Sequence, residues 1–212
     1  MNIAYLSYIT EKKFNAKYAE KLRGYFANLY KEEDLFHNHD ENSKSIYRMP
    51  YIQYKIINGN LMIMGIEKGA KIVAVEFLKH DRIILENEIF ENFEKQLKTE
   101  EFEMKVDDEL YKYRFETIWL PLNQKNHKLY QNGELDMNRV LTNNILSNFK
   151  GCSIVADKKI MVKGNYKEKI IGMKNNSMIG FTGDFVSNVR MPDYISVGKR
   201  RAIGYGVVVG VS

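Results

Sequence analysis

The stretch from residue 51 to residue 66, YIQYKIINGNLMIMGI, constrains the fold more than any other part of the sequence. Two apolar runs flank Asn58-Gly59-Asn60. An Asn-Gly pair tolerates the positive φ angles that a tight β-hairpin turn requires, so the stretch predicts two antiparallel strands joined at this turn.

The segments on either side of this hairpin predict a βαββαβ order of elements. The pattern of residues 2–9 indicates a first strand, and apolar residues at helical spacing indicate an amphipathic helix over residues 15–30, with Asn15 as its N-cap. Residues 68–79 are predicted as a second helix, and DRIILEN, residues 81–87, as the last strand. This is the order of a ferredoxin-like domain.

The second half of the chain predicts another α+β domain. An acidic stretch, residues 86–109, contains a short helical pattern and is expected to join the two halves. ELYKYRFETIWL is predicted as a long strand with its partner at EFEMKV, and residues 136–150 as a helix capped by Asp136. Short strands and glycine turns are expected in the last sixty residues. The predicted fold is two tandem ferredoxin-like domains, the second degenerate, with boundaries 1–90 and 91–212.

Charge is distributed unevenly along the chain, whose net charge is +5. Residues 86–109 hold ten Asp or Glu against three Lys or Arg, whereas residues 150–212 carry eleven basic against four acidic side chains. A concentration of basic side chains favours a polyanionic partner, because lysine and arginine displace counterions from phosphates. The alternative is a basic surface that is simply solvated.

Cysteine content and hydropathy indicate a cytoplasmic protein. The single cysteine, Cys152, cannot form an intramolecular disulfide, which is typical of a reducing compartment. The N-terminal residues lack the pattern of a signal peptide, and no apolar run is long enough to span a bilayer. We therefore expect no membrane partner.

The C-terminal sequence ISVGKRRAIGYGVVVGVS is the first candidate site. Three basic residues are bracketed by three glycines; these are Gly198, Lys199, Arg200, Arg201, Gly204 and Gly206. Glycine lets backbone N–H groups approach a phosphate closely, and adjacent basic side chains supply charge. The spacing matches neither a dinucleotide fingerprint nor a Walker loop. A glycine turn leading into a buried strand is the alternative, and both interpretations can hold together.

The second candidate site is LFHNHDENSKSIYR, residues 35–48, which contains His37, His39 and Tyr47, with Lys31 just upstream. Together with the glycine-rich basic tail and two ferredoxin-like halves, this sequence resembles the CRISPR repeat-processing endoribonucleases of the RAMP superfamily. The histidine pair with Tyr47 is particularly similar to the b-type branch. The resemblance implies a catalytic role for the histidine segment and binding of CRISPR repeat RNA.

Proton-transfer chemistry agrees with that implication. Metal-independent RNA cleavage needs a base for the 2′-hydroxyl, an acid for the 5′-oxygen and a cation near the phosphate. His37 and His39 suit both proton roles because the pKa of histidine lies near neutrality. Lys31 or Lys44 can stabilise the phosphorane, and Tyr47 can orient the phosphate, donate a proton or stack on a base.

We therefore predict a metal-independent, cofactor-free endoribonuclease that forms 2′,3′-cyclic phosphate and 5′-hydroxyl ends. The resemblance implies that the product passes to subunits of a CRISPR effector complex; the oligomeric state is open and includes a homodimer. One alternative is a catalytically inactive RAMP subunit that binds guide RNA. Another is a metal-dependent nuclease in which His37 and His39 bind a metal with Asp34 or Asp40, and a third is an ordinary polar loop.

Overall fold

The computed structural model describes residues 1–31, 35, 49–91, 93–173 and 176–211. The chain divides into two compact units. The first consists of Met1–Phe102 with Ala202–Gly204, and the second of Glu103–Arg201 with Tyr205–Ser212.

The described part of the first unit contains two helices and six strands. In chain order these are β1 (Asn2–Ile9), α1 (Tyr18–Leu29), β2 (Ile52–Ile57), β3 (Asn60–Ile66), α2 (Lys68–Glu76), β4 (Ile83–Leu85), β5 (Glu88–Phe90) and β6 (Glu94–Glu101). Four strands form an antiparallel sheet in the order β2-β3-β1-β6, and β4 and β5 form a separate small sheet.

The predicted hairpin is confirmed at the predicted turn. Strands β2 and β3 pair in antiparallel register, from Ile57 opposite Asn60 to Ile52 opposite Gly65. Asn58 and Gly59 have φ values of 51° and 74°, the left-handed conformation that a two-residue turn of this kind requires.

The first helix follows the predicted apolar stripe. Its buried residues Ala19, Leu22 and Phe26 are three and four residues apart, so they lie on one face and pack against the sheet. The helix begins at Tyr18 rather than at residue 15. The Asn15 side chain accepts a hydrogen bond from the Lys17 N–H at 3.0 Å, which stabilises the turn before the helix.

The closing strand of the first sheet differs from the prediction. The strand predicted in DRIILEN exists as β4, but it pairs with β5 rather than with the main sheet. The fourth position belongs to β6, which pairs with β1 along its whole length, from Glu94 opposite Ile9 to Glu101 opposite Asn2. The helix predicted within the acidic stretch is therefore wrong, and the predicted domain division at residues 90 and 91 precedes a strand of the first sheet.

The described part of the second unit contains two helices and four strands. They are β7 (Lys105–Phe115), α3 (Gln124–Gln131), α4 (Met137–Gly151), β8 (Val162–Met173), β9 (Asn176–Arg190) and β10 (Val208–Gly210). A short 3₁₀ turn, Arg201–Ile203, precedes β10.

Predictions for the second unit were partly correct. The helix capped by Asp136 is confirmed as α4, because the Asp136 side chain accepts from the N–H groups of Asn138 and Arg139. Lys105 and Val106 of EFEMKV belong to β7 itself, whose partners are β9 and β10, so the predicted pairing is wrong. One short strand follows α4 as expected, the three-residue β10, but β8 and β9 are long, with 12 and 15 residues.

The two main sheets have the same strand order. When the strands are numbered in chain order within each main sheet, β2-β3-β1-β6 and β8-β9-β7-β10 both read 2-3-1-4. In the second unit, the described residues between β9 and β10 contain only the 3₁₀ turn where the first unit has α2. The prediction of two ferredoxin-like domains, the second degenerate, is confirmed. No helix in the described part of the chain is long and apolar enough to cross a membrane.

Candidate functional site

Of the four predicted catalytic residues, the structure describes Lys31. Its side chain is exposed, and it directly follows Tyr30, the residue that caps the C-terminal end of α1. His37, His39 and Tyr47 lie outside the described residues, as do Lys44, Asp34 and Asp40. The grouping of these side chains therefore stays a prediction.

The same holds for the alternative in which the histidine pair binds a metal. In the part of the chain that the structure describes, no three His, Cys, Asp or Glu side chains lie close enough together to hold a cation. The H-x-H pair is outside that part, so the structure tests neither the metal interpretation nor the acid–base interpretation.

The glycines of the C-terminal segment are required by the fold. Gly198 and Gly206 have φ values of 86° and 64°, and Gly204 has 78°. A Cβ at position 198 would lie 2.8 Å from a carbon of the Trp119 ring, and one at position 206 would lie 2.0 Å from the Val197 carbonyl oxygen. Only glycine combines these φ values with such close approaches. The glycine-turn interpretation is confirmed, and contact of these glycines with phosphate remains a prediction.

Backbone hydrogen bonds fix the ends of this segment. The Lys199 N–H donates to the Leu120 carbonyl at 2.9 Å, and the Gly206 N–H donates to the Ile118 carbonyl at 2.8 Å. These two N–H groups are thus committed to the protein. The Lys199 N–H and the Gly206 N–H are therefore not available to a phosphate.

The three basic side chains of the segment are not equivalent. Lys199 and Arg200 are exposed, whereas Arg201 is half-buried and its guanidinium donates to the side-chain oxygen of Asn148 on α4. Desolvation lowers the pKa of both Lys199 and Arg201. Exposed cations are available for a polyanion, while a half-buried guanidinium held by an amide contributes to the structure.

Asn148 is itself held in a fixed orientation. It is fully buried, and its Nδ2 donates to the Ser196 carbonyl at 3.0 Å while its Oδ1 accepts from Arg201. Sequence reasoning missed this residue. A signal was present, because Leu141, Ile145 and Asn148 are spaced four and three residues apart and form the buried stripe of α4. An amide in such a stripe needs a polar partner.

Trp119 is a buried core residue whose ring lies next to Gly198 and Gly206. The side chain has no exposed surface, stacks on Phe115 with ring centroids 5.2 Å apart, and donates from Nε1 to the Asn144 side chain at 2.9 Å. Its ring is the surface on which Gly198 lies. Trp119 therefore supports the basic segment and is not available to stack on a base.

The side chain of His80 lies beside Tyr30 and Glu76. Its Nε2 lies 3.0 Å from the hydroxyl of Tyr30 and 3.9 Å from a carboxylate oxygen of Glu76. This histidine belongs to a side-chain cluster at the C-terminal ends of α1 and α2.

Comparison with known families assigns both halves of the chain. The model of the Cas6b N-terminal domain matches residues 1–103, and the model of the Cas6b C-terminal domain matches residues 105–211. The chain belongs to the Cas6b family. The resemblance to the b-type branch is thereby confirmed, and the two family domains meet next to the boundary between the compact units at residues 102 and 103.

Two solved Cas6b structures are similar to this chain over its full length. A crystal structure of Cas6b superimposes with a TM-score of 0.90 at 33% identity, covering 100% of both chains. The crystal structure of a CRISPR RNA processing endoribonuclease, also Cas6b, gives a TM-score of 0.76 at 30% identity, again covering 100% of both chains. An uncharacterised protein of Methanocaldococcus jannaschii, MJ0978, is 31% identical over 122 residues, which are 55% of this chain and 82% of the relative.

Proposed function

We propose that this chain is an endoribonuclease that binds CRISPR precursor RNA and cleaves it within the repeats. One observation carries the proposal: both Cas6b domains match, and the Cas6b relative described as a CRISPR RNA processing endoribonuclease aligns over the entire chain. Repeat RNA is the proposed partner, and subunits of a CRISPR effector complex are the proposed recipients of the product.

The proposed chemistry is attack by the RNA's own 2′-oxygen on the adjacent phosphorus. The P–O5′ bond breaks, leaving a 2′,3′-cyclic phosphate and a 5′-hydroxyl. His39 and His37 would share the two proton transfers, one removing the 2′-hydroxyl proton and the other protonating the 5′-oxygen. Lys31 would stabilise the charge on the phosphorane, and Tyr47 would orient the phosphate. This step uses no metal ion.

The basic C-terminal segment supports RNA binding in this proposal. Lys199 and Arg200 are exposed and adjacent, so they can contact backbone phosphates and release counterions. Gly198, Gly204 and Gly206 would act indirectly, since they set the backbone from which the two side chains project. Arg201 would secure the same segment through Asn148.

A cleavage assay in the presence and absence of EDTA tests the proposal. Wild-type protein should cut repeat RNA equally well in both conditions, and replacing His37 and His39 together with alanine should slow cutting by about 10²–10⁴-fold. His127→Ala is the matched control, because it removes a histidine that lies on α3, outside the proposed site. Binding without cleavage would identify a guide-RNA-binding subunit. Cleavage blocked by EDTA would identify a metal-dependent nuclease.

A further inference from the structure

A buried carboxylate is hydrogen-bonded to the residue that ends α1. The Tyr30 hydroxyl donates to Oε1 of Glu76 at 2.7 Å, and Nε2 of His80 lies 3.0 Å from the same hydroxyl. Because the single hydroxyl proton is used toward Glu76, the imidazole must be the donor in the second bond. The three side chains form one chain of hydrogen bonds, from His80 through Tyr30 to Glu76.

Glu76 is an unusual residue for this position. Its side chain is 2% exposed, although α2 could bury an apolar residue there. Lys79 lies 3.0 Å from Oε1, whereas Oε2 has no hydrogen-bond partner among the described residues. Burying a carboxylate with one oxygen unsatisfied is unfavourable. Packing alone therefore does not explain a glutamate at this position.

The hydrogen bonds act on the last turn of α1. Tyr30 is the C-cap residue, its N–H donates to the Phe26 carbonyl at 3.0 Å, and its ring stacks on that of Phe26 with an interplanar angle of 11°. The Nζ of Lys79 lies over the Tyr30 ring, 4.9 Å from its centroid. Burial and the neighbouring Glu76 raise the pKa of the Tyr30 hydroxyl, which therefore stays protonated and keeps donating.

Tyr30 is also the residue that precedes Lys31. We propose that Glu76 is a positioning residue for RNA cleavage, which acts through Tyr30 to fix the backbone from which Lys31 projects. The inference rests on the proposed function, because Lys31 is the cation of the proposed site. Misplacement of a reacting group by about 1 Å can cost about 10²-fold in rate. The hydrogen bond between Tyr30 and Glu76 can therefore control the cleavage rate by fixing the backbone next to Lys31, without either side chain contacting RNA.

The test compares two tyrosines of the same helix. Tyr30→Phe removes the hydroxyl and keeps the ring on Phe26. Tyr25→Phe makes the same change one and a half turns earlier, where the hydroxyl donates to the Arg82 carbonyl at 3.3 Å. Each variant is measured by single-turnover cleavage at saturating protein, by RNA affinity, and by hydrogen exchange of the residue 30 amide.

We expect Tyr30→Phe to lower the single-turnover rate constant by at least about 10-fold. RNA affinity should stay within about twofold, and the residue 30 amide should exchange at least about 10-fold faster. Tyr25→Phe should change none of the three. Glu76→Gln should leave exchange of the residue 30 amide close to wild type, because its amide oxygen can accept the same hydrogen bond.

Each other outcome counts against the inference. Faster exchange with an unchanged rate constant would overturn the positioning role, and so would a loss confined to RNA affinity. Unchanged exchange would show that the hydrogen bond does not hold the end of α1. If wild-type protein does not cut RNA at all, the proposed function fails, and the exchange comparison still decides whether Glu76 anchors Tyr30.

Discussion

Asn148 holds the guanidinium of Arg201 from within the buried stripe of α4, although 53 residues separate them in the chain. The same amide donates to the Ser196 carbonyl, so one side chain links the helix to both sides of the Gly198 turn. This arrangement separates Arg201, which supports the segment, from Lys199 and Arg200, which remain exposed.

Replacing Asn148 with alanine should destabilise the second unit. The substitution removes the Asn148 hydrogen bonds to the Arg201 guanidinium and the Ser196 carbonyl, and losing hydrogen bonds to buried polar groups costs about 1–3 kcal/mol. Chemical denaturation measures the loss. Asn143→Ala, the same change at an exposed position of α4, should alter stability by no more than about 0.5 kcal/mol. Equal effects of the two substitutions would show that the Asn148 hydrogen bonds contribute nothing.

We expect the three basic side chains of the C-terminal segment to contribute differently when RNA binding is titrated at several salt concentrations. Lys199→Ala with Arg200→Ala should reduce the slope of log K against log salt by about 0.7 for each phosphate that the variant no longer neutralises. Stability should be nearly unchanged, because both side chains are exposed.

Two comparisons control that titration. Arg201→Ala should chiefly lower the free energy of unfolding, since it removes the partner of buried Asn148. Lys125→Ala with Lys128→Ala removes the same charge from α3 and should reduce the slope less. A slope that is unaffected by removal of the Lys199 and Arg200 side chains would exclude the segment from RNA binding and leave it a purely structural turn.

Gly206 should tolerate no side chain. An alanine there would place Cβ 2.0 Å from the Val197 carbonyl oxygen at a φ of 64°, and we expect about 2–4 kcal/mol of destabilisation from the close approach and the backbone strain together. Gly24→Ala in α1 is the comparison, because nothing lies within 4 Å of its added Cβ and alanine favours helix. The measurement is thermal unfolding of both variants. If Gly206→Ala were as stable as Gly24→Ala, the fold would not require glycine at position 206.

These features differ in how far the sequence could predict them. The β2–β3 hairpin was predictable because Asn58 and Gly59 specify their own turn locally. Strand β6 was not, because Ile89, Phe93 and Leu97 recur every four residues and imitate a helix, while pairing with β1 decides the actual structure. Local spacing cannot represent that long-range pairing.

The candidate site shows the same division. The Gly198–Gly206 segment was predictable from its residue types, since glycines flanking basic side chains are chemically distinctive. The difference between the exposed cations and the half-buried Arg201 was not predictable, because it depends on Asn148 and on the Trp119 ring, both distant in sequence. Tyr30 and Glu76 were missed for a similar reason: a carboxylate in a helical pattern is usually exposed, and only the packed structure shows it buried.

Lys55 should give stability an unusual dependence on pH. It is fully buried on β2 and donates to the Gln53 side chain at 2.6 Å, and burial lowers its pKa well below 10.5. Between the folded and unfolded pKa values the unfolded chain binds more protons, so this residue's contribution to stability improves as pH rises.

The measurement is the difference in unfolding free energy between wild type and Lys55→Met from pH 7 to pH 10. Within this window, the unfolding free energy of wild type should rise relative to that of the variant by up to about 1.4 kcal/mol per pH unit. The substitution also removes the hydrogen bond between Lys55 and Gln53, which shifts the difference in unfolding free energy by an amount that does not vary with pH. Buried tyrosines with raised pKa values, Tyr8 and Tyr54, are common to both proteins and cancel. Lys71→Met, at an exposed site, should show a flat difference, and a flat difference for Lys55→Met would contradict the lowered pKa of the buried Lys55 amine.

In the proposed reaction, the RNA supplies its own nucleophile. A repeat RNA with a single 2′-deoxy substitution in the nucleotide immediately 5′ of the cut retains nearly all its phosphate and base contacts but lacks the attacking oxygen. We predict that the protein binds this RNA with wild-type affinity and does not cut it, while the same substitution one nucleotide further upstream is cut normally. Normal cutting of the first RNA would mean that water is the nucleophile, and would contradict the proposed roles of His37 and His39.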